Sequence, residues 1–276
     1  MITNHIQISI ITLTINDKLK FIKTLRSIKE QLQKTNIEWL IIDGSIDKIQ
    51  KYNESLINKE FNYKLSNNFL IRHINSNKLK LYGIYPCMNY AKKICKGKFI
   101  IYLNSGDELF NDRSLGKLLY YSKRANKELS LIFGQAKIIA SDNLSWEFPG
   151  KPLKNIKLWL TFFEPNHQAM LISKKLAKKY NFSEKYDLIA DGYWKRKIIQ
   201  SSQDNIYLNF PISRFFLDGV SSIKPTKDKL YKIISNKNIS LIRKFIFIVK
   251  FLIPKNLFFL YRYLQMIKSK IINFLF

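Results

Sequence analysis

Residues Gly97 to Phe110 read G-K-F-I-I-Y-L-N-S-G-D-E-L-F, an apolar run that stops abruptly at polar residues. Phe99 to Leu103 has the length and hydrophobicity of a strand that is buried on both faces of a parallel sheet. In open α/β sheets, ligands bind beyond the carboxyl ends of such strands. Asp107 is therefore predicted at the mouth of a cleft, where it can bind a divalent cation that bridges to phosphates. The alternative is a solvated turn, because Ser, Gly and Asp are common turn residues.

Apolar segments and helical periodicity alternate along the chain, which predicts βαβ units and an α/β fold with a mainly parallel sheet. The predicted strands are Ile6–Thr14, Trp39–Ile42, Phe69–Ile74, Phe99–Leu103, Leu129–Ile139, His167–Ile172, Ile206–Phe210 and Ser213–Leu217. Helices are predicted between them, with Asp17, Asp112 and Asp191 as N-caps. The segment Ser141–Asn155 contains two prolines and a glycine and is predicted to be a long surface loop.

The composition restricts the class of protein. A chain of 276 residues with 46% hydrophobic residues can form one sizeable domain with appendages and is not disordered as a whole. The formal net charge of +27 predicts an anionic partner, which is nucleic acid, phospholipid or a phosphorylated small molecule. Cys87 and Cys95 suggest neither a disulfide framework nor a zinc site. We expect a cytosolic protein, since the N-terminal residues do not have the pattern of a signal peptide.

The last part of the chain differs from the rest in charge. From Lys229 to Phe276 there is no Asp or Glu, while Lys and Arg recur among aliphatic and aromatic residues. No uncharged run there reaches the length of a transmembrane helix. We therefore predict an α/β domain at 1–228 and a tail of basic amphipathic helices at 229–276 that lies on an anionic membrane surface. The alternative is a helix pair packed on the domain, with Lys side chains covering apolar surface.

Two acidic residues follow predicted parallel strands, Asp43 and Asp107. If both strands are parallel, one cleft can hold both carboxylates. Asp43 could accept hydrogen bonds from a base or ribose, and Asp107 could hold a metal ion that neutralises a diphosphate. Neither a Gly-x-Gly-x-x-Gly motif nor a P-loop motif occurs in the sequence, so dinucleotide and P-loop sites have no support.

A set of short motifs in fixed order gives the chain a family resemblance. They are I-S-I-I-T-L-T-I-N (8–16), I-I-D-G-S (41–45), G-I-Y-P-C-M-N (83–89), G-K-F-I-I-Y-L-N-S-G-D (97–107), H-Q (167–168), I-A-D-G-Y (189–193) and G-V-S (219–221). In these motifs the chain resembles family 2 glycosyltransferases of the GT-A fold, of the kind that assembles bacterial polysaccharide and lipopolysaccharide. The resemblance implies an inverting, metal-dependent transfer of a sugar from a nucleotide-diphosphate sugar. The acceptor would be a hydroxyl of a glycan or lipid-linked molecule at the inner face of the cytoplasmic membrane.

The resemblance also implies roles for matching residues. Asp107 would bind Mg²⁺ or Mn²⁺, and Asp191 would be the general base that deprotonates the acceptor hydroxyl. The donor would be bound by four further residues, Thr12, Asp43, Ser45 and Asn89. The acceptor side would include His167, Gln168 and Trp194. His167 has a structural alternative as a hydrogen-bonded histidine, and Trp194 as a core residue.

The sequence departs from the family pattern in two places and leaves two other functions open. The Asp-Gly-x-Ser-x-Asp element is shortened at Asp43–Asp47, and Pro86 stands where an Asp is common, which affects the expected contacts to the donor sugar. A nucleotidyltransferase of similar topology is one alternative, although such enzymes generally begin with a Gly-rich nucleotide loop. A basic nucleic-acid-binding protein is the other, and it would require a basic face with stacking aromatic residues.

Overall fold

The computed structural model describes residues 6–31, 36–61, 69–152, 155–156, 159–160, 163–217, 225–237, 239–254 and 257–275. The strands are β1 (Ile8–Thr14), β2 (Ile37–Asp43), β3 (Phe69–Asn75), β4 (Phe99–Tyr102), β5 (Glu108–Leu109), β6 (Ser130–Ser141), β7 (Leu144–Phe148), β8 (Met170–Ser173) and β9 (Asp204–Phe216). The α-helices are α1 (Lys18–Lys29), α2 (Asp47–Glu60), α3 (Ile84–Ile94), α4 (Ser114–Ser122), α5 (Lys174–Lys179), α6 (Ala190–Ser201), α7 (Lys227–Ser235), α8 (Leu241–Leu252) and α9 (Phe258–Leu275). The motif predicted at 219–221 lies outside the described residues.

The described strands form one mixed sheet in the order β3-β2-β1-β4-β8-β6-β9-β5, and β7 pairs with β6. The first four strands are parallel to one another. Strand β8 runs antiparallel to both β4 and β6, while β9 is parallel to β6. The α/β prediction is therefore confirmed, and the parallel part brings the carboxyl ends of β1, β2 and β4 to one edge of the sheet.

Apolar layers cover both faces of the sheet, because the parallel strands carry hydrophobic side chains in both directions. On one face, α1 and α4 pack on the strands, and the ring of Phe21 stacks on Trp39 at a centroid distance of 6.0 Å. On the other face, α3, α5 and α6 pack around Tyr102, whose ring meets Trp194 edge-on at 5.8 Å. The strand at the centre of the sequence motif is thus buried on both sides, as predicted.

Helix starts match the sequence prediction at one of three positions. Asp17 caps α1, since its Oδ1 accepts a hydrogen bond from Lys20 N at 3.0 Å. The prediction for Asp112 is wrong, because Arg113 is the N-cap residue of α4 and Asn111 Oδ1 accepts from its backbone N–H. Asp191 is not the cap of α6 either, because Ile189 is the N-cap residue and Asp191 lies two residues after it, in the first turn.

One loop prediction and two strand predictions are also corrected. The segment Ser141–Asn155 is not a continuous loop, because β7 forms an antiparallel hairpin with β6 and buries Leu144 and Trp146. The two predicted strands at 206–217 are one strand, β9, whose pairing with β6 shifts register on both sides of Gln135. This irregularity accommodates Pro211, which cannot donate to a regular ladder. Residues His167–Ala169 form a 3-10 turn, and the strand predicted from His167 begins at Met170.

The tail packs on the domain with one side and exposes apolar residues on the other. Ile233 and Ile239 pack with Ile189 before α6, and Met266 of α9 packs with Trp146. The exposed large hydrophobic residues of the tail are Tyr231, Ile234, Leu241, Phe245, Ile246, Val249, Leu252, Leu257, Leu260, Tyr263, Leu264 and Ile271. Among the helices of the described ranges, none is both long enough and apolar enough to cross a bilayer.

Candidate active site

A cavity of about 690 Å³ opens at the edge where β1, β2 and β4 end. This is the edge at which ligands bind in open α/β sheets. Its wall is formed by the ends of these strands and the residues after them, the starts of α1 and α3, the 3-10 turn before β8, α6, and the end of β9. Sequence-predicted site residues that line it are Asp107, His167, Gln168 and Asp191. Four residues from three separate parts of the sequence are therefore brought together around one space.

The loop after β4 is fixed by α1. Gly106 has a φ of +100°, and its N–H donates to Thr24 Oγ1 at 3.0 Å. Thr24 Oγ1 in turn donates to the backbone oxygen of Asp107 at 2.7 Å. The Asp107 carboxylate is buried, and its Oδ2 accepts a hydrogen bond from Gln168 Nε2 at 3.0 Å. A solvated turn, the alternative left open by the sequence, does not agree with this burial.

Several polar atoms of the cavity wall are buried without a hydrogen-bond partner among the described residues. These atoms are Thr14 Oγ1, Asn104 Oδ1, Ser105 Oγ and His167 Nε2. A buried polar group without a partner costs on the order of 1–3 kcal/mol. Their concentration in one cavity indicates a site that a polar ligand completes. Thr14, Asn104 and Ser105 were missed at the sequence level, although they stand at or just after strand ends, which is the signal that identified Asp107.

His167 and Asp191 face each other across the wall. His167 Nδ1 lies 3.8 Å from Asp191 Oδ2, and the imidazole meets the Tyr102 ring edge-on. Burial lowers the pKa of His167 to about 4, although the nearby Asp191 raises it. The imidazole is therefore neutral at pH 7. The Asp191 side chain is 37% exposed, so its carboxylate can receive a proton from a bound hydroxyl.

Two lysines add positive charge to the cavity wall. Lys20 lies beside the loop after β4, and its alkyl chain covers Gly106, where an added Cβ would come within 3.1 Å of Lys20 Cδ. Lys195 of α6 donates a hydrogen bond to Pro165 O at 3.1 Å. Cationic side chains at a helix start and along a cleft attract phosphate groups. Neither lysine stands out in the sequence, because lysines are common throughout the chain.

The structure places Asp43 behind the cavity wall rather than on it. Its side chain is 0% exposed; Oδ1 accepts from Ser45 N at 2.8 Å, and Oδ2 from Asn53 Nδ2 at 2.8 Å and His73 Nε2 at 3.0 Å. Burial raises the pKa of Asp43, but the hydrogen bonds outweigh it and the pKa is below its ordinary value. Asp43 holds the turn whose Gly44 lines the cavity. A direct contact to a nucleotide base would require it to exchange one of these partners.

The other sequence-predicted residues also lie outside the cavity lining. Thr12 Oγ1 donates to Leu103 O at 2.8 Å, which joins β1 to the end of β4. Ser45 Oγ accepts from Asn16 N at 2.8 Å. Asn89 holds the backbone of Phe182 with two hydrogen bonds, of 2.8 and 2.9 Å. Trp194 is a core residue, since it is buried and stacks on the ring of Phe182 at 4.2 Å.

This fold, with a polar cavity at the carboxyl ends of parallel strands, is typical of enzymes that bind nucleotides. The sequence profile described as Glycosyl transferase family 2 matches residues 9–180. The chain therefore belongs to this family and is a glycosyltransferase, not a nucleotidyltransferase. Asp191 lies beyond the matched segment. No curated protein matches the sequence.

Solved structures show the same fold at low sequence identity. TarS 1–349 of S. aureus in complex with UDP-GlcNAc superposes with a TM-score of 0.58 and 16% identity, over 89% of this chain and 71% of that chain. The same protein in complex with UDP gives a TM-score of 0.57 at 16% identity, over 89% of this chain and 70% of that chain. The mannosyltransferase PcManGT from Pyrobaculum calidifontis, in complex with GDP-Man and Mn²⁺, gives 0.52 and 13%, over 83% and 60%.

Proposed function

We propose that the protein transfers a sugar, with inversion, from a nucleoside-diphosphate sugar to a hydroxyl of a glycan or lipid-linked acceptor in the assembly of cell-surface polysaccharide or lipopolysaccharide. The observation that carries this proposal is the cavity on which Asp107 and Asp191 both lie, with four unpartnered polar atoms around them. Similar folds hold UDP-GlcNAc and GDP-Man, which supports a nucleotide sugar as the donor.

A divalent cation fits the donor side of this cavity. No group of three His, Cys, Asp or Glu side chains suited to a metal occurs within the described ranges. Mg²⁺ and Mn²⁺ sites for nucleotides, however, use one or two carboxylates together with phosphate oxygens. The Asp107 carboxylate and the unpartnered Asn104 Oδ1 supply two hard oxygen ligands. A Mg²⁺ or Mn²⁺ ion held there would neutralise the diphosphate that leaves the sugar.

We assign to Asp191 the role of the base that deprotonates the acceptor hydroxyl. An inverting transfer needs one base that takes the proton of the attacking hydroxyl. Asp191 supports this role because its carboxylate lines the cavity and is partly exposed, while the neutral His167 beside it cannot neutralise its charge. Lys20 would lie near the donor phosphates, and Lys195, four residues after Asp191, would add positive charge on the acceptor side.

We further propose that residues 229–276 hold the enzyme on the inner face of the cytoplasmic membrane. The support is that the tail combines an outward apolar surface with Lys and Arg residues and contains no acidic residue. Such helices bind anionic lipid by burying apolar side chains and by attraction between charges. The predicted boundary at 228 falls inside α7, so the tail and the domain share that helix.

The proposed function is tested by nucleotide binding and turnover together. UDP, GDP, dTDP and CMP, each with and without Mn²⁺, are compared by thermal shift. We expect one nucleotide to raise the melting temperature in a metal-dependent manner. Asp107→Asn should abolish the metal dependence. Asp191→Asn should retain binding and lower turnover by about 10²- to 10⁴-fold, the contribution of a general base.

Asp112→Asn is the matched control, since it removes a carboxylate on the exposed segment before α4, outside the cavity. It should leave both binding and turnover unchanged. Full transferase activity in both Asp107→Asn and Asp191→Asn would show that the site assignment is wrong.

A further inference from the structure

Helix α8 joins the outer surface of the tail to the active-site region. Its outward side carries Leu241, Phe245 and Leu252, all strongly exposed. Its inner side is turned to the domain, where Phe247 packs against the cluster of Ile189, Ile233 and Ile239. Arg243 stands four residues before Phe247, so both lie on this inner side. A cationic residue of the tail is therefore directed at α6, the helix that bears Asp191.

Arg243 fills the space that Gly192 leaves open. A Cβ added to Gly192 would lie 2.9 Å from Arg243 Nη1 and 3.3 Å from Nη2. The guanidinium also lies over the ring of Tyr193, with its Cζ 5.0 Å from the ring centroid. Tyr193 in turn stacks on Tyr186 at 3.8 Å. Arg243 is thus seated on two consecutive residues of the first turn of α6, by van der Waals contact and a cation–π interaction.

These two residues directly follow Asp191. The backbone N–H of Gly192 donates a hydrogen bond to Asp191 Oδ1 at 2.8 Å. The other oxygen, Oδ2, is the one 3.8 Å from His167 Nδ1. The orientation of the carboxylate therefore depends on where the peptide of Gly192 lies, and Arg243 contacts that residue from the side of the tail.

We propose that Arg243 is a positioning residue that fixes the first turn of α6 and so orients the Asp191 carboxylate towards the acceptor. The inference rests on the proposed function, in which Asp191 is the base. It gives the tail a part in catalysis besides membrane binding. A displacement of about 1 Å in a catalytic group can lower the rate by roughly a hundredfold, so a contact of this kind affects turnover strongly.

The test uses four variants, Arg243→Ala, Arg243→Lys, Gly192→Ala and the double variant Gly192→Ala/Arg243→Ala. Turnover is followed as release of UDP from UDP-GlcNAc or of GDP from GDP-Man with water as acceptor. In this reaction water forms the bond to the anomeric carbon, Asp191 takes its proton, and the diphosphate leaves with the electron pair of the broken bond. Hydrogen exchange of residues 189–195 is measured in parallel, because it does not depend on a substrate.

We expect Arg243→Ala to lower kcat about ten- to hundredfold, to leave KM for the donor within about twofold, and to accelerate exchange at 189–195. Arg243→Lys should recover part of kcat, since Lys keeps the charge but not the planar group. Gly192→Ala should behave like Arg243→Ala although Ala favours the helix, because its methyl displaces the guanidinium. The double variant should have a kcat no lower than that of Arg243→Ala, because both substitutions remove the same contact between Arg243 and Gly192.

Lys244→Ala is the control, since it removes a neighbouring cation of α8 whose Nζ donates to Ile234 O, within the tail. It should keep kcat and exchange at the wild-type values. Unchanged kcat, or unchanged exchange at 189–195, in folded Gly192→Ala or Arg243→Ala would overturn the inference. Full turnover by Asp191→Asn would instead show that Asp191 is not the base of the proposed function, whatever the Arg243 variants do.

Discussion

His167 is a neutral histidine at the centre of the site, and its titration is predictable. Its pKa is about 4 in the folded state, against an ordinary value near 6.5, because burial disfavours the charged ring. Between these two values the unfolded chain binds a proton that the folded protein does not bind. The free energy of unfolding should therefore fall as pH decreases from about 6.5 to 4, by at most about 3 kcal/mol from this residue.

The measurement is the difference between wild type and His167→Gln in urea unfolding at pH 7.5, 6.5, 5.5 and 4.5. Gln cannot titrate, and the carboxylates common to both proteins cancel in the difference. We expect the stability of the variant relative to wild type to rise steadily as the pH falls below about 6.5. A difference that stays constant over this range would contradict the assigned neutral state.

At the residue scale, the sequence predicts the edge of the sheet at which the cavity lies more accurately than it predicts the residues that line the cavity. Asp107, Gln168 and Asp191, three of the residues selected from the sequence, line the cavity. Thr12 does not, because it stands two residues before the end of β1 and is covered by Leu103 and by Trp39, whose Nε1 donates to its hydroxyl at 2.9 Å. Thr14, the last residue of the same strand, lines the cavity instead. Whether a residue near the end of a strand reaches the cavity depends on how the neighbouring strands cover it, and the sequence alone does not show this.

The side chain of Asn89, which the family resemblance assigns to donor binding, attaches helix α3 to the segment before α6. Asn89 makes two hydrogen bonds to the backbone of Phe182, whose ring stacks on Trp194. We therefore predict that Asn89→Ala lowers the free energy of unfolding by about 1–3 kcal/mol, the usual cost of leaving such backbone groups without partners. Metal-dependent nucleotide affinity should stay within about twofold of wild type.

Urea unfolding and nucleotide thermal shift measure the two effects separately. Asn58→Ala is the control, because Asn58 is exposed in α2. It should leave both quantities unchanged. Loss of nucleotide binding in Asn89→Ala with unchanged stability would favour the donor role over the structural one.

At the element scale, a concentration of turn residues led to the wrong prediction of a loop where the structure has strand β7. Pro149, Gly150 and Pro152 made the whole segment resemble a loop, although Leu144 and Trp146 before them alternate with polar residues as in a half-buried strand. The apolar partner of that strand is Met266 of α9, more than a hundred residues later. The predicted strands without Pro or Gly, such as β1 and β2, were found close to their predicted places.

At the scale of the whole molecule, the two hypotheses for the tail, membrane binding and packing on the domain, are compatible. Its inner side covers the domain through Ile233 and Met266, as in a packed helix pair. Its outer side still exposes bulky apolar residues among lysines and arginines. Exposed apolar area of this extent usually marks a surface that binds a partner or a membrane. Deletion of the tail would also expose the apolar surface of the domain that the tail covers. Substitutions on the outer side of the tail therefore test membrane binding more specifically.

We predict that the double variant Phe245→Ser/Leu252→Ser binds anionic vesicles at least tenfold more weakly than wild type. The two side chains are 64% and 67% exposed, so their replacement removes little packing from the protein. Each would contribute roughly 1.5–3 kcal/mol if buried in the lipid interface.

Co-flotation with vesicles of phosphatidylglycerol and phosphatidylcholine measures binding, and wild-type binding should weaken at high salt, because surface charges are then screened. Leu19→Ser, which changes an exposed leucine of α1, is the control and should float like wild type. Undiminished flotation of the double variant, or tight DNA binding by a wild-type protein that does not float, would refute the membrane role of the tail.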